Sequence, residues 1–158
     1  MRGSGVLLVA GLAGTAVGVL GVVRAAVRLD RLHVRTDAAW AALDDALGRR
    51  AHAVRALDAC LTAAEAALRA EPVIREDVEN ELGRAIAVLD RADLDPACAA
   101  RLADAEQRVM IARRVYNDAV RDTLALRSRR MVRWLRLAGT AALPQYFEIA
   151  EPQDGAGA

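Results

Sequence analysis

At 158 residues, 54% apolar, 27% charged and 3% aromatic, the chain has the size of one modest domain, and its make-up excludes a collagen-like, disulfide-rich or disordered protein. Thirty-six residues are alanine and all 22 basic residues are arginine, a helix-former's vocabulary with few of the aromatic residues that strands favour, so the expected fold is all-α. The net charge of +1 conceals blocks of +3 over residues 24–35, −5 over 37–126, +5 over 127–136 and −3 over 137–158. No single face carries the basic excess a nucleic acid requires and no groove-reading motif occurs, so nucleic acid is not an expected partner. Cys60 and Cys98 have no CxxC partner, which fits neither a metal site nor a disulfide framework and reads as two small buried thiols in a reducing compartment.

Residues 5–23, GVLLVAGLAGTAVGVLGVV, form 19 consecutive uncharged positions. At about 1.5 Å per residue they extend about 30 Å, the thickness of a bilayer core, and exceed the usual length of a cleaved signal's apolar region. Residues 1–23 are therefore expected to be a single transmembrane helix. Arg2 alone precedes it while Arg24, Arg28, Arg31 and Arg35 follow, a bias that sets the N-terminus outside and the rest of the chain in the cytoplasm. Gly14 and Gly18 form a GxxxG pair, a smooth face through which a second copy could associate into a homo-oligomer.

Residues 24–143 are expected to be a cytoplasmic antiparallel four-helix bundle. Leu29, Leu32, Thr36, Trp40, Leu43, Leu47, Arg50, Val54, Leu57, Leu61, Ala64 and Leu68 step by three or four, the seam of one very long first helix in which only Thr36 and Arg50 break the apolar rule. Gly48 is the expected place for a bend and Glu71-Pro72 the expected end. A second helix carries Ile74, Val78, Leu82, Ala85 or Ile86, and Leu89 on one face, with Glu76, Asp77, Glu79 and Glu81 near its positive end. Asp95 then reads as the N-cap, and Pro96 as the first residue, of a third helix running to about Arg127. Its stripe is Leu102, Ala105, Val109, Ala112, Tyr116, Ala119 or Val120, and Thr123. A short amphipathic stretch, Met131 to Leu137, and a flexible tail over 144–158 complete the chain.

The segment Glu106-Gln107-Arg108-Val109-Met110-Ile111-Ala112-Arg113-Arg114-Val115-Tyr116-Asn117-Asp118-Ala119-Val120 resembles the E-x-R-I-x-x-A-R-x-x-Y-N-D-A-V segment of the LemA family. Ala39-Trp40 with Leu47 and Arg49-Arg50, Glu79-Asn80-x-Leu82, and Tyr146-Phe147-Glu148 are similar to further segments of that family. The resemblance covers roughly residues 5–150. It implies a single-pass membrane protein with a cytoplasmic four-helix bundle and no known reaction. Two features depart from the family pattern: His52-Ala53-Val54-Arg55-Ala56-Leu57 stands where D-L-I-P-N-L is usual, and Arg127-Ser128-Arg129-Arg130 replaces a Phe-Pro.

Catalytic chemistry is not expected. A di-iron bundle needs two Glu-x-x-His pairs, and Asp30-x-x-His33 is the sole approximation; His52 reads as a surface residue; no P-loop or dinucleotide fingerprint occurs. No catalytic residue, cofactor, metal or small-molecule substrate is therefore expected, and the functional candidates are surfaces for unidentified protein partners and for lipid. The first is the motif set Trp40, Arg49, Arg50, Glu106, Arg113, Tyr116, Asn117 and Asp118, with 106, 113 and 117 able to share one helix side. The second is Arg129, Arg130, Arg133, Trp134 and Arg136, which suit anionic lipid or an acidic partner. In an up-down-up-down bundle, however, the third helix runs away from the membrane and takes that cluster with it.

Overall fold

The computed structural model describes the backbone of residues 3–57, 61–139 and 141–150, and the side chains of 16–57, 62–139 and 141–150. All regular structure among these residues is helical: α1 (Gly3–Arg55), α2 (Leu61–Arg69), α3 (Arg75–Ala87), α4 (Pro96–Arg127) and α5 (Arg130–Trp134). The long α1 packs against α4 in a helical bundle. The contacts fall into two compact units, residues 1–37 with 119–144 and residues 38–118 with 145–158.

In the first unit, Leu29 of α1 meets Leu126 of α4 and Val132 of α5 in a small core, with Leu32, Leu137 and Ala138 against it. One of the two polar positions in the seam, Thr36, is buried there and satisfied. Its hydroxyl lies 2.9 Å from the Leu32 carbonyl, to which it donates, and shares a 3.0 Å hydrogen bond with the Thr123 hydroxyl. Arg35 pairs with Asp122 at 3.3 Å. Residue 29 against 126 and 36 against 123 make α1 and α4 antiparallel. The end of α4 therefore packs on the part of α1 that follows the uncharged segment, the reverse of what an up-down-up-down count suggests. The count fails because α2 and α3 form a separate short hairpin, one reversal more than a long continuous first helix allows.

In the second unit, four helices share one core: Ala51 and Val54 of α1, Ala64 and Ala67 of α2, Leu82 and Ile86 of α3, and Leu102 of α4. The expected third-helix start holds, with Asp95 Oδ2 accepting from the Ala97 and Cys98 amides at 3.0 and 3.2 Å, satisfying donors that the first helical turn leaves open. The stripe of α4 is buried as its spacing predicts, at Leu102, Ala105, Val109, Tyr116, Ala119, Val120 and Thr123.

Other expectations are corrected. The first helix ends at Arg55, well before Glu71. On a straight helix Ala51 and Ala67 would stand about 24 Å apart, too far to serve one small core, and the separate α2 brings both to Leu82 and Ile86. Gly48 lies inside α1, which runs through it without a break. Leu47 and Ala51 beside it are buried at 0% and 1% exposure, and that packing outweighs the glycine's weak propensity. Ile74 is exposed and precedes α3. Residues 145–150 are held against the bundle, with Phe147 buried; positions 151–158 of the expected tail lie outside the described residues.

Among the described residues no helix is long and apolar enough to cross a membrane. The first part of the expected span, Gly14 included, has side chains outside the described residues. Gly18 is exposed, with open space where a Cβ would stand.

Gly48 has no neighbour within 4 Å of an added Cβ, so Gly48→Ala should gain helix propensity at no steric cost. A stabilisation of about 0.5–1 kcal/mol is expected by chemical denaturation; a loss of stability would show that the helix needs glycine there.

Candidate functional site

Four of the eight motif residues, Trp40, Arg113, Tyr116 and Asn117, meet where residues 145–150 cross α3 and α4. Trp40 on α1 packs against Tyr116 on α4 with the rings tilted by 59° and their centroids 5.3 Å apart, and meets Phe147 edge-to-face at 5.7 Å. Both geometries suit aromatic quadrupoles. Phe147 is 3% exposed, and it is the one buried side chain of residues 145–150.

The main chain of that segment is held by side chains on two sides. Towards α4, the Tyr116 hydroxyl donates to the Gln145 carbonyl at 2.9 Å, and Arg113 Nη1 donates to the Ile149 carbonyl at 3.0 Å. Between them Asn117 brackets one residue: its Nδ2 donates to the Phe147 carbonyl at 3.1 Å and its Oδ1 accepts from the Phe147 amide at 2.9 Å. Towards α3, the Glu148 amide donates to Glu76 Oε1 at 2.9 Å and the Ala150 amide to Asn80 Oδ1 at 2.7 Å. Odd-numbered residues thus turn their main chain to α4 and even-numbered ones to α3, the alternation of an extended strand.

Arg50, the second polar position of the seam, is buried at 6% exposure and its partner Glu79 at 1%. Arg50 Nη2 donates to Glu79 Oε2 at 2.6 Å and to the Glu79 carbonyl at 3.3 Å. Burial pushes the Glu79 carboxyl above its ordinary 4.5, against the opposing pull of Arg50. Arg50 Nε and Glu79 Oε1 have no hydrogen-bond partner among the described groups, so the pair is held together mainly by one charged contact. Arg75 reaches the Ala67 carbonyl at 2.7 Å and pairs with Asp44, tying α3 to the end of α2 and to α1.

Other motif residues stand apart. Glu106 pairs with Arg91 in the loop before α4, at 2.9 Å, and is not brought to Arg113 and Asn117. Arg49 is on the surface, paired with Asp45 one turn back at 2.7 Å. Asp118 and Arg114 line an open recess of about 360 Å³ beside the extended segment, with Met110, Arg113, Glu148 and Ile149. Comparison of the chain with protein-family models, curated proteins and solved structures finds no match. Trp40, Asn80, Tyr116, Asn117 and Phe147, far apart in sequence, all belong to the arrangement just described.

The arginine cluster lies in the first unit. Trp134 is 87% exposed and Met131 42%, and Trp134 shares a shallow surface with Arg130 and Arg133. Arg133 and Arg136 border a larger open groove of about 870 Å³ floored by Leu124, Val132, Ala138 and Leu143. Arg127 is committed to the chain itself, its guanidinium donating to the Ala141 and Ala142 carbonyls at 2.8 and 2.9 Å. Arg129 is the exposed residue before α5, and Arg136 has a positive φ of 50° at the turn after it.

Sequence reasoning misses the roles of two residues that matter, Glu79 and Glu76. Glu79 and Glu76 were grouped as acids suited to a helix N-terminus, whereas Glu79 answers Arg50 and Glu76 binds main chain. The signal for Glu79 was Arg50 in the apolar seam, since a buried charge requires a partner. His52 and Cys98, distant in sequence, line one cavity of about 200 Å³ with Arg101, whose Nη2 lies 3.0 Å from Cys98 Sγ. No group of three or more potential metal ligands occurs among the described residues.

Removing one member of the Arg50–Glu79 pair leaves the other charge buried and alone. Arg50→Met and Glu79→Met should each cost about 3–5 kcal/mol, and the double variant should cost less than either. Denaturant unfolding of the four proteins checks this; additive losses would mean that the two groups do not interact.

Proposed function

We propose that the chain is a single-pass membrane protein of LemA type, whose helical bundle lies on the cytoplasmic side and acts as a non-enzymatic scaffold or protein-interaction module. The observation that carries this reading is the uncharged run 5–23, followed at once by Arg24, Arg28, Arg31 and Arg35. The same helix, α1, continues into the seam of the bundle. Further support comes from the motif residues, which are spent on helix packing and main-chain contacts rather than gathered around a reacting group. Full-length protein should stay in the membrane pellet after alkaline carbonate, with a C-terminal topology reporter active on the cytoplasmic side. Release of the intact chain, or a reporter active outside, would overturn the reading.

A second reading, an anionic-lipid surface at Arg129, Arg130, Arg133, Trp134 and Arg136, is favoured by the contact of Val132 and Leu126 with Leu29. Leu29 lies six residues beyond Val23, about 9 Å along the helix axis, so in the anchored protein α5 stands near the headgroups. There an exposed Trp flanked by arginines is at home. In full-length protein carrying Trp40→Phe and reconstituted into vesicles, Trp134 emission should be quenched by brominated lipid, more strongly when anionic lipid is present. Charge reversal at Arg129, Arg130 and Arg133 should remove that difference. Equal emission in neutral and anionic vesicles would exclude the lipid surface.

A further inference from the structure

The extended segment 145–150 is bound as a peptide is bound. Its contacts with the helices number seven: six main-chain hydrogen bonds with Tyr116, Asn117 (two) and Arg113 on α4 and with Glu76 and Asn80 on α3, and one side-chain anchor, Phe147 against Trp40 on α1. Gln145, Tyr146, Glu148 and Ala150 have exposed side chains. Nothing in these contacts depends on the segment belonging to the same chain.

We infer that the groove between α3 and α4 is a peptide-recognition site that reads the main chain of an extended, phenylalanine-centred segment. Residues 145–150 are its resident occupant, and an extended peptide of the same chemistry from another protein can replace them. Peptide recognition through main-chain hydrogen bonds usually uses a sheet edge. Here polar side chains of two helices stand in for that edge, and the aromatic box of Trp40 and Tyr116 supplies the side-chain pocket.

The geometry specifies the occupant. Amide protons are needed at the phenylalanine and at the first and third positions after it, where Asn117, Glu76 and Asn80 accept. Proline, which lacks that proton, is excluded from those three places. The position directly after the phenylalanine, the resident Glu148, lies at the open recess lined by Arg113, Arg114 and Asp118, which admits side chains of either charge. The partner is thus an extended segment of the form Phe-x-x-x with no proline at the bonded amides. Because the resident segment is tethered, its effective concentration is high, so a free peptide competes poorly until that segment is removed.

The test uses a chain ending at Pro144 in a Trp134→Phe background, with Trp40 fluorescence as the readout and a synthetic peptide covering residues 143–150 as the probe. The peptide should bind and change Trp40 emission, bind the full-length chain about tenfold or more weakly, and lose about tenfold or more in affinity to Asn117→Ala. Peptide carrying Glu148→Pro should fail to bind while Glu148→Ala binds within a few-fold. If the shortened chain has lost helix, the peptide should restore it in circular dichroism, and full-length Phe147→Ala should accept the peptide in its place. The inference is overturned if the peptide neither binds nor restores helix. It is also overturned if binding survives Asn117→Ala undiminished, or if Glu148→Pro and Glu148→Ala peptides bind alike.

Discussion

A helix of 53 residues cannot keep its apolar stripe in water, and the remaining structure serves to cover it. Isolated helices draw little stability from their own hydrogen bonds and depend on packing. The stripe of α1 alternates small residues, Ala25, Ala39, Ala46 and Ala51, with Leu29, Leu43, Leu47 and Val54 among its buried positions, and the small ones let a neighbouring backbone come close. α4 supplies the matching antiparallel face, again with small residues at Ala105 and Ala119. The hairpin of α2 and α3 closes the four-helix core around Ala51 and Val54. That hairpin is also what turns the chain so that α4 returns along α1.

Aliphatic packing alone discriminates weakly against a slide of one helical turn, since apolar residues recur at that spacing. The polar exceptions remove that freedom. Thr36 finds Thr123, and Arg50 finds Glu79; any other register would bury hydroxyls and charges without partners, at a cost of several kcal/mol for the ions. A buried ion pair is weak evidence for stability, since two apolar residues of similar size often do as well. Its value here is selective: it rewards one alignment of α1 with α3 over the rest. The unpartnered Arg50 Nε and Glu79 Oε1 fit that role, because a pair chosen for register need not be fully satisfied.

Periodicity made much of this legible. The long first helix, the stripe of α4 and the Asp95-Pro96 start follow from spacing and capping, which are local. Thr36 and Arg50 stood out as exceptions in the seam, yet their partners are 87 and 29 residues away, and no helical pattern links such positions. The break after Arg55 was invisible for a related reason: the apolar spacing continues through Leu57, Leu61 and Ala64 in step, and only the demand that Ala51 and Ala67 share one core interrupts the helix. The tail was misread because its hold on the bundle is through main chain. Gln145, Tyr146 and Glu148 have an exposed strand's side chains, and a segment recognised by its amides and carbonyls leaves almost no trace in residue type beyond one phenylalanine.

The trace is clearer on the receiving side. Asn117 both donates to and accepts from the main chain of Phe147, a task that needs an amide: aspartate has no proton to give at neutral pH, and glutamine adds a methylene that shifts both atoms and loosens them. Tyr116, one residue earlier, contributes a ring to the aromatic box and a hydroxyl to the Gln145 carbonyl, so phenylalanine would fill the space and lose the bond. Trp40 offers a face wide enough to meet Tyr116 and Phe147 together. The Tyr-Asn pair on α4 and the tryptophan on α1 are therefore fixed by the geometry of an extended backbone passing over a helix, whatever chain that backbone belongs to.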